Sequence, residues 1–90
     1  MNSVFRNTKQ SRFELETDGQ ISVADYRERP DTLVITHIGV PEALRGQGLA
    51  SQLAQGIIDY ARAENLKVQP LCPFMATYFD RHPEFAQLRV

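Results

Sequence analysis

The sequence predicts a mixed α/β fold in which antiparallel strands come first and a parallel β-α-β unit follows. Two observations carry this prediction. The early part of the chain contains short segments of alternating polar and apolar residues joined by turn signals. The middle contains a long stretch of helical periodicity between two short apolar runs. Because a crossover helix joins strands that run in the same direction, these two apolar runs should pair in parallel.

The first predicted hairpin lies between residues 12 and 28. Residues 12–17 alternate between apolar and polar side chains, which is typical of a half-exposed strand. Asp18-Gly19 then gives a strong hairpin signal, because both central positions of such a turn need positive φ. The returning strand is predicted over 20–28, and Pro30 begins a second turn. Residues 1–10 are polar, and we expect them to be flexible.

The central strand and the long helix are the clearest predictions. Residues 33–40 are apolar on both faces, which indicates a strand covered on both sides in the middle of a sheet. A helix should begin near Gly48. From there apolar residues recur with a period of 3.6, at Leu49, Ala50, Leu53, Ala54, Ile57, Ile58 and Ala61. Gly56 costs this helix roughly 1 kcal/mol relative to alanine, which close packing on the sheet would explain. Asn65 is suited to end it in a left-handed conformation.

The last predicted elements are a short strand over 66–72 and a short C-terminal helix over 73–81. Pro70 cannot donate to a sheet ladder, so the pairing should be incomplete there or the strand should bend. Pro73 suits the first position of a helix, and His82-Pro83 should end it.

Composition limits the classes of protein that this chain can represent. Its 90 residues can build one core, so we predict a single domain over 1–90. A net charge of −1 with scattered basic residues argues against nucleic-acid binding. Cys72 is the only cysteine, which excludes an intramolecular disulfide and a multi-cysteine metal site. Since no signal peptide or membrane-length apolar segment is visible, we expect a soluble cytoplasmic protein that uses no metal.

Two glycines stand between the central strand and the long helix, in the stretch R-G-Q-G-L-A over 45–50. Bare backbone N–H groups there, together with the partial positive charge of a helix N-terminus, suit an anion such as a pyrophosphate. Arg45 adds a positive charge. The lysine and hydroxyl of a P-loop are absent, and so is the G-x-G-x-x-G of a dinucleotide site. The alternative is that Gly46 and Gly48 only form a tight turn.

This stretch resembles the Q/R-x-x-G-x-G/A acetyl-coenzyme A motif of the GNAT superfamily of N-acetyltransferases. More narrowly, residues 35–53 together with V-Q-P-L-C-P-F over 68–74 resemble the minimal stand-alone members of that superfamily. The resemblance implies transfer of an acetyl group from acetyl-coenzyme A to a primary amine. It also implies that the pantetheine arm runs beside Ile38 and Val40. The pyrophosphate would rest on Arg45, Gly46, Gln47, Gly48, Leu49 and Ala50.

His37 and Cys72 lie near the carboxyl ends of the two strands that should be parallel, which places both at one edge of the sheet. Strand alternation predicts that His37 shares a side with Leu33, Ile35 and Gly39. Either residue could instead be ordinary core packing. The resemblance implies that both are candidate catalytic residues, with His37 as the base and Cys72 assisting or gating the thioester. Direct attack by the amine ranks first, and an acetyl-cysteine step ranks second.

Tyr78 lies on the predicted C-terminal helix. The resemblance makes a tyrosine on this helix a candidate general acid for the departing thiolate. The favoured alternative is that Tyr78 packs against the neighbouring aromatic residues Phe74 and Phe79.

The acceptor half of the predicted site is reduced. Only Asp18-Gly19 separates the first two predicted strands, which leaves no room for the two helices that shape the acceptor pocket in ordinary GNAT domains. An open acceptor face suits a large or exposed amine, such as a protein lysine or N-terminus. Two other interpretations stay open: a non-catalytic acyl-coenzyme A sensor or protein-interaction module, and a purely structural domain without a ligand.

Overall fold

A computed structural model describes residues 4–90, in which five strands form one sheet in the order β1-β2-β3-β4-β5. The strands are β1 (Val4–Asn7), β2 (Arg12–Thr17), β3 (Gln20–Arg29), β4 (Thr32–Gly39) and β5 (Lys67–Pro70). The helices are α1 (Leu49–Ala63) and α2 (Pro73–Arg81), and 3-10 segments cover Glu42–Leu44 and Pro83–Leu88. Strands β1 to β4 pair antiparallel, whereas β4 and β5 pair in parallel. The predicted fold class is confirmed.

Helix α1 packs on one face of the sheet, with α2 beside it. Its buried apolar stripe matches the predicted period except that Ala50 is only half buried. Cross-strand partners share a face of a sheet, so the residues under α1 can be read from the pairing. They are Phe13, Leu15, Ala24, Tyr26, Leu33, Ile35 and Val68, all in one buried cluster with the helix. Within residues 4–90 no helix has the length and hydropathy of a membrane span.

The predicted turns are confirmed. Asp18 and Gly19 have φ of 52° and 77°, the left-handed values that the hairpin between β2 and β3 requires. At the C-terminus of α1, Asn65 has φ of 59° and the N–H of Leu66 donates to the carbonyl oxygen of Ala61 over 2.8 Å. This is the Schellman arrangement that closes a helix.

The start of the chain differs from the prediction. Val4–Asn7 forms an edge strand paired with β2, so the expectation of a flexible segment is wrong for these residues, and residues 1–3 lie outside the described part. The guanidinium of Arg6 lies over the rings of Tyr26 and Tyr60, is hydrogen-bonded to both hydroxyls and pairs with Glu28. These contacts join residues far apart in sequence, which is why a polar segment gave no strand signal.

Gly56 lies where α1 meets β1. A Cβ at this position would come within 2.5 Å of the Cβ of Val4. The glycine therefore lets the edge strand approach the helix, and the predicted close packing on the sheet is confirmed.

The central strand β4 contains a bulge. Asp25 pairs with His37 but the next residue, Tyr26, pairs with Ile35, so Thr36 is an extra residue on β4. The bulge shifts the alternation by one, and His37 shares the face of Asp25, opposite the face of Leu33 and Ile35. The expectation that His37 lies on the side of Leu33 and Ile35 is therefore wrong.

Burial along β4 differs on the two sides of the bulge. Leu33, Val34 and Ile35 are buried, whereas His37 beyond the bulge is exposed. The prediction of a strand covered on both sides is correct only for the first half of β4.

Candidate active site

Strands β4 and β5 separate near the middle of β4. Their pairing ends at Ile35 and Pro70, and the N–H groups of Leu71 and Cys72 both donate to the carbonyl oxygen of Ile35 at 3.0 Å. The chain then enters α2, while β4 continues to Gly39. Residues 36–39 of β4 consequently have no strand partner on the β5 side within the described part of the chain. The ladder with β4 stops at Pro70, so the incomplete pairing predicted there is confirmed.

The loop after β4 presents backbone N–H groups at the start of α1. Gly46 and Gly48 have φ of 87° and 77°, and no atom lies within 4 Å of a Cβ built on either residue. The glycines are thus needed for their backbone conformation, not for crowding. Among residues 4–90 we find no acceptor for the N–H groups of residues 46–51, and no side chain caps the helix.

Electrostatics at this helix start favour an anion. The first turn of α1 carries no acidic residue, so the partial positive charge of the helix end is not neutralised from within the helix. The exposed side chain of Arg45 lies at the same end, with its Nε 3.4 Å from the carbonyl oxygen of Val40. Free amides, left-handed glycines and a cation at one point make a cradle suited to phosphate oxygens.

Two adjoining cavities join this cradle to β4. A cavity of about 230 Å³ lies over the helix start and is lined by Gly46, Gly48, Leu49 and Ser51, among others. A larger one of about 560 Å³ extends over the end of β4 and the neighbouring residues of β3, including Ile21 and Val23. Both are lined by Val40, Arg45, Ala50 and Phe74, so they form one continuous cleft.

The predicted binding residues meet in this cleft. Ile38 and Val40 line the larger cavity and also pack on the core. Leu49 has a buried side chain, so only its backbone is available to a ligand. Gln47 is exposed on the loop between the two left-handed glycines.

His37 lines the larger cavity, and its side chain is 63% exposed. Its ring lies over Gly39, since a Cβ on Gly39 would be 2.9 Å from Cε1 of the imidazole. Its Nδ1 lies 3.3 Å from Oδ2 of Asp25, the cross-strand neighbour. The imidazole is thus held between bare backbone and a carboxylate, and one ring edge faces an open cleft.

Cys72 has a different setting. It is the N-cap residue of α2, but its side chain is only 6% exposed and belongs to the core cluster beneath the helices. It is not among the residues that line the two cavities. The backbone of Cys72 lies at the fork between β4 and β5, which is the point beyond Ile35 and Pro70 where the two strands separate. Its side chain lies in the core.

Tyr78 points away from the cleft. Its hydroxyl donates to the side-chain oxygen of Gln55 in the middle of α1, and its ring stacks on His82 at 4.0 Å. Burial raises the pKa of this phenol, and the nearby carboxylates of Asp59 and Glu84 add to the effect. The ring of Tyr78 also stacks with that of Phe74, with centroids 6.5 Å apart, which supports packing for one of the two predicted aromatic partners. His82 ends α2 as predicted.

The sequence interpretation did not identify Asp25 or Phe74 as parts of the site. Asp25 is brought to His37 by the register of β3 and β4, and Phe74 closes the cleft from the first turn of α2. The predicted pairing of β3 with β4 could have indicated that Asp25 lies near the site. It identifies His37 as the partner of Asp25 only when the bulge in β4 is taken into account.

Comparisons with known proteins give one family match and several curated relatives. The family described as GCN5-related N-acetyl-transferase matches residues 12–88. The curated protein NATD1 of Xenopus tropicalis is 35% identical over 52 residues, which are 58% of this chain and 48% of that protein. Human NATD1 is 35% identical over 49 residues, covering 54% of this chain and 43% of that protein. The matched part thus spans about half the length of these curated relatives or less.

A solved structure shows the same fold. The NMR solution structure of a GCN5-like protein from Staphylococcus aureus superimposes with a TM-score of 0.75 at 22% sequence identity. The superposition covers 98% of this chain and 87% of the other. The overall fold of this chain is therefore also found in an experimentally determined structure.

Proposed function

The chain belongs to the GCN5-related N-acetyltransferase family, and on that premise we propose that it transfers an acetyl group from acetyl-coenzyme A to a primary amine. The observation that carries this proposal is that β4 and β5 separate next to the loop whose free N–H groups lie at the start of α1. The cradle offers free N–H groups for a pyrophosphate, and the unpaired edge of β4 lies next to it. One cleft connects the two.

The residues of this chain divide the binding task. The backbone of residues 45–50 holds the pyrophosphate, supported by the charge of Arg45. The pantetheine arm lies along Ile38 and Val40, on the edge that β5 leaves unpaired. Phe74 covers this part of the cleft from α2. A thioester held in this way lies near the exposed ring of His37.

His37 serves as the base. The amine nitrogen forms a bond to the acetyl carbonyl carbon, the carbon–sulfur bond breaks, and coenzyme A leaves as a thiolate. His37 takes the proton that the amine loses, and the imidazolium so formed can return a proton to the thiolate. Its ring is exposed in the cleft, whereas the Tyr78 hydroxyl is bonded to Gln55. This contrast favours His37 over Tyr78 for both transfers.

Cys72 is assigned to assist or gate the thioester from the fork between the strands. Its 6% exposure supports direct attack by the amine over a covalent acetyl-cysteine, because an acceptor would have to enter the core to reach the sulfur. Acetylation of Cys72 remains the second route.

The acceptor is proposed to be an amine of a protein or peptide. Only the two-residue turn at Asp18-Gly19 joins β2 to β3, and the half of the cleft over β3 is open, with Ile21 45% exposed. Few residues there could contact a small metabolite on several sides. A lysine or N-terminus on a protein needs less enclosure, because the protein that carries it covers the open side of the cleft.

Two measurements test this function. Titration calorimetry with coenzyme A should show binding, and an assay with acetyl-coenzyme A should acetylate lysine-containing peptides more rapidly than small amines, as read by mass spectrometry. Absence of binding at millimolar coenzyme A would overturn the cofactor site. Binding without transfer to any amine would contradict catalysis and favour an acyl-coenzyme A sensor.

Variants at the two candidate residues separate the routes. His37→Gln should lower kcat/KM by at least about 100-fold, the usual contribution of a general base, with affinity for coenzyme A kept. Cys72→Ala should lower turnover less under direct attack. An acetyl adduct on Cys72 in the wild type, together with complete loss in Cys72→Ala, would establish the covalent route instead.

A further inference from the structure

We infer that Asp25 is a positioning residue that keeps a proton on Nδ1 of His37 and leaves Nε2 as the nitrogen that exchanges protons in the cleft. This inference rests on the proposed function of His37. It concerns a carboxylate on β3 that lies outside the stretch that resembles the acetyl-coenzyme A motif.

The bulge in β4 creates the contact. In a regular strand without the bulge, alternation would place His37 on the same face as Ile35, under α1. The bulge turns it to the opposite face, directly across from Asp25. The hydroxyl of Thr36 donates to the backbone oxygen of Asp25 over 3.3 Å, a contact that ties the extra residue to the strand it faces.

The geometry fixes which nitrogen faces the carboxylate. Nδ1 of His37 lies 3.3 Å from Oδ2 of Asp25, and an ionised carboxylate can only accept. A neutral imidazole has one N–H and one lone pair, so a proton on Nδ1 leaves the lone pair on Nε2. Contact with Gly39 limits the ring from its other side. The carboxylate thus selects the tautomer and the backbone limits the orientation.

Both side chains are partly exposed, 63% for His37 and 45% for Asp25, so solvent weakens the interaction between them. The expected contribution is therefore modest. It should correspond to at most about fivefold in kcat/KM, the size of a solvent-exposed ion pair.

The direct test is the tautomer of His37 in the protein without ligand. Two-bond ¹H–¹⁵N correlation spectra of ¹⁵N-labelled protein, recorded where the ring is neutral, should show the proton mainly on Nδ1. In Asp25→Asn the population should move toward the Nε2–H form, because an amide can present either its oxygen or its NH₂ group to the ring. Asp18→Asn is the matched control, since it makes the same change in a turn that also accepts asparagine. An unchanged tautomer in Asp25→Asn would overturn the inference.

Activity supplies an independent reading. Asp25→Asn should lower kcat/KM in the His37 protein and have no further effect in a His37→Gln background, because it acts only through the imidazole. Equal losses in both backgrounds would overturn the positioning role. If the tautomer shifts but no variant, including the wild type, acetylates an amine, then the proposed function fails while the Asp25–His37 coupling stands. Should Asp25→Asn fold poorly, Asp25→Thr keeps a strand-forming residue there and gives the same reading.

Discussion

The imidazole of His37 lies over Gly39 so closely that a Cβ on residue 39 would be 2.9 Å from Cε1. The same Cβ would be 3.7 Å from Nε2 and 3.8 Å from Nδ1. Gly39 therefore leaves the space that the His37 ring occupies, because it has no Cβ. This contact exists only because His37 and Gly39 share the face that the bulge in β4 turns away from α1.

Gly39→Ala should move the His37 ring with little effect on folding. The three atoms nearest to the new methyl group all belong to the ring of His37, a side chain that can rotate away. We expect kcat/KM to fall by about tenfold, the cost of losing about 1.4 kcal/mol of alignment. In a His37→Gln background the effect should shrink, because the displaced group is gone. An equal loss in both backgrounds would show that Gly39 acts on something other than the histidine.

Gly48→Ala tests the cradle. Its φ of 77° is the left-handed value that an alanine adopts at a cost of about 1–2 kcal/mol. Gly19→Ala is a matched control, because Gly19 also has φ of 77° and also has open space around it. Urea unfolding should show similar destabilisation in both variants. Only Gly48→Ala should weaken coenzyme A binding, by about tenfold or more. Equal affinities in the two variants would argue against a pyrophosphate at this loop.

Gly56→Ala tests the packing of β1 on α1. Alanine improves helix propensity by about 1 kcal/mol, but its Cβ would meet the Cβ of Val4 at 2.5 Å. Overpacking costs about 1–3 kcal/mol, so we expect a net loss of about 1 kcal/mol in the free energy of unfolding. A double-mutant cycle with Val4→Gly should reveal coupling between the two positions. A stabilised Gly56→Ala protein would contradict the close approach of the edge strand.

Glu14 should contribute a pH-dependent part of stability. The hydrogen bond from Arg12 lowers the pKa of this carboxyl from its ordinary value of 4.5, partial burial opposes the shift, and the amide of Asn7 lowers it further. Since the folded pKa is the lower one, the unfolded chain binds more protons, and stability rises with pH through this range.

The contribution of Glu14 is complete above 4.5 and is lost as pH falls through the lowered folded value. The difference in unfolding free energy between the wild type and Glu14→Gln should therefore be greatest at neutral pH and should shrink in acid. Glu16→Gln, at an exposed position on the same strand, serves as the control. Parallel curves for wild type and Glu14→Gln would rule out this contribution.

Short-range patterns were sufficient for most of the fold. The turn at Asp18-Gly19, the helix over Leu49–Ala63 and its left-handed end at Asn65 depend on neighbouring residues only, and each matches its prediction. The glycine loop is also local, because the positive φ angles of Gly46 and Gly48 need only glycine at those two positions. The backbone conformation of the cradle is thus encoded within a few consecutive residues.

The edge strand and the placement of His37 depend on the whole sheet. Val4–Asn7 is ordered by its pairing with β2 and by Arg6 stacking between Tyr26 and Tyr60, contacts that span up to 54 residues. The bulge at Thr36 has no local signal in an apolar run, because it arises from the register between two strands. One inserted residue reverses the face of every side chain beyond it.

The sequence by itself determined strands β2 to β5, both helices, their order and the glycine loop before α1, because backbone conformation, capping and periodicity are set by residues within a turn or two of one another. Tertiary structure alone decided that His37 lies beside Asp25 at the open cleft while the side chain of Cys72 is buried in the core. Strand register and the separation of β4 from β5 depend on contacts between residues that are distant in sequence. A local sequence pattern does not contain those contacts.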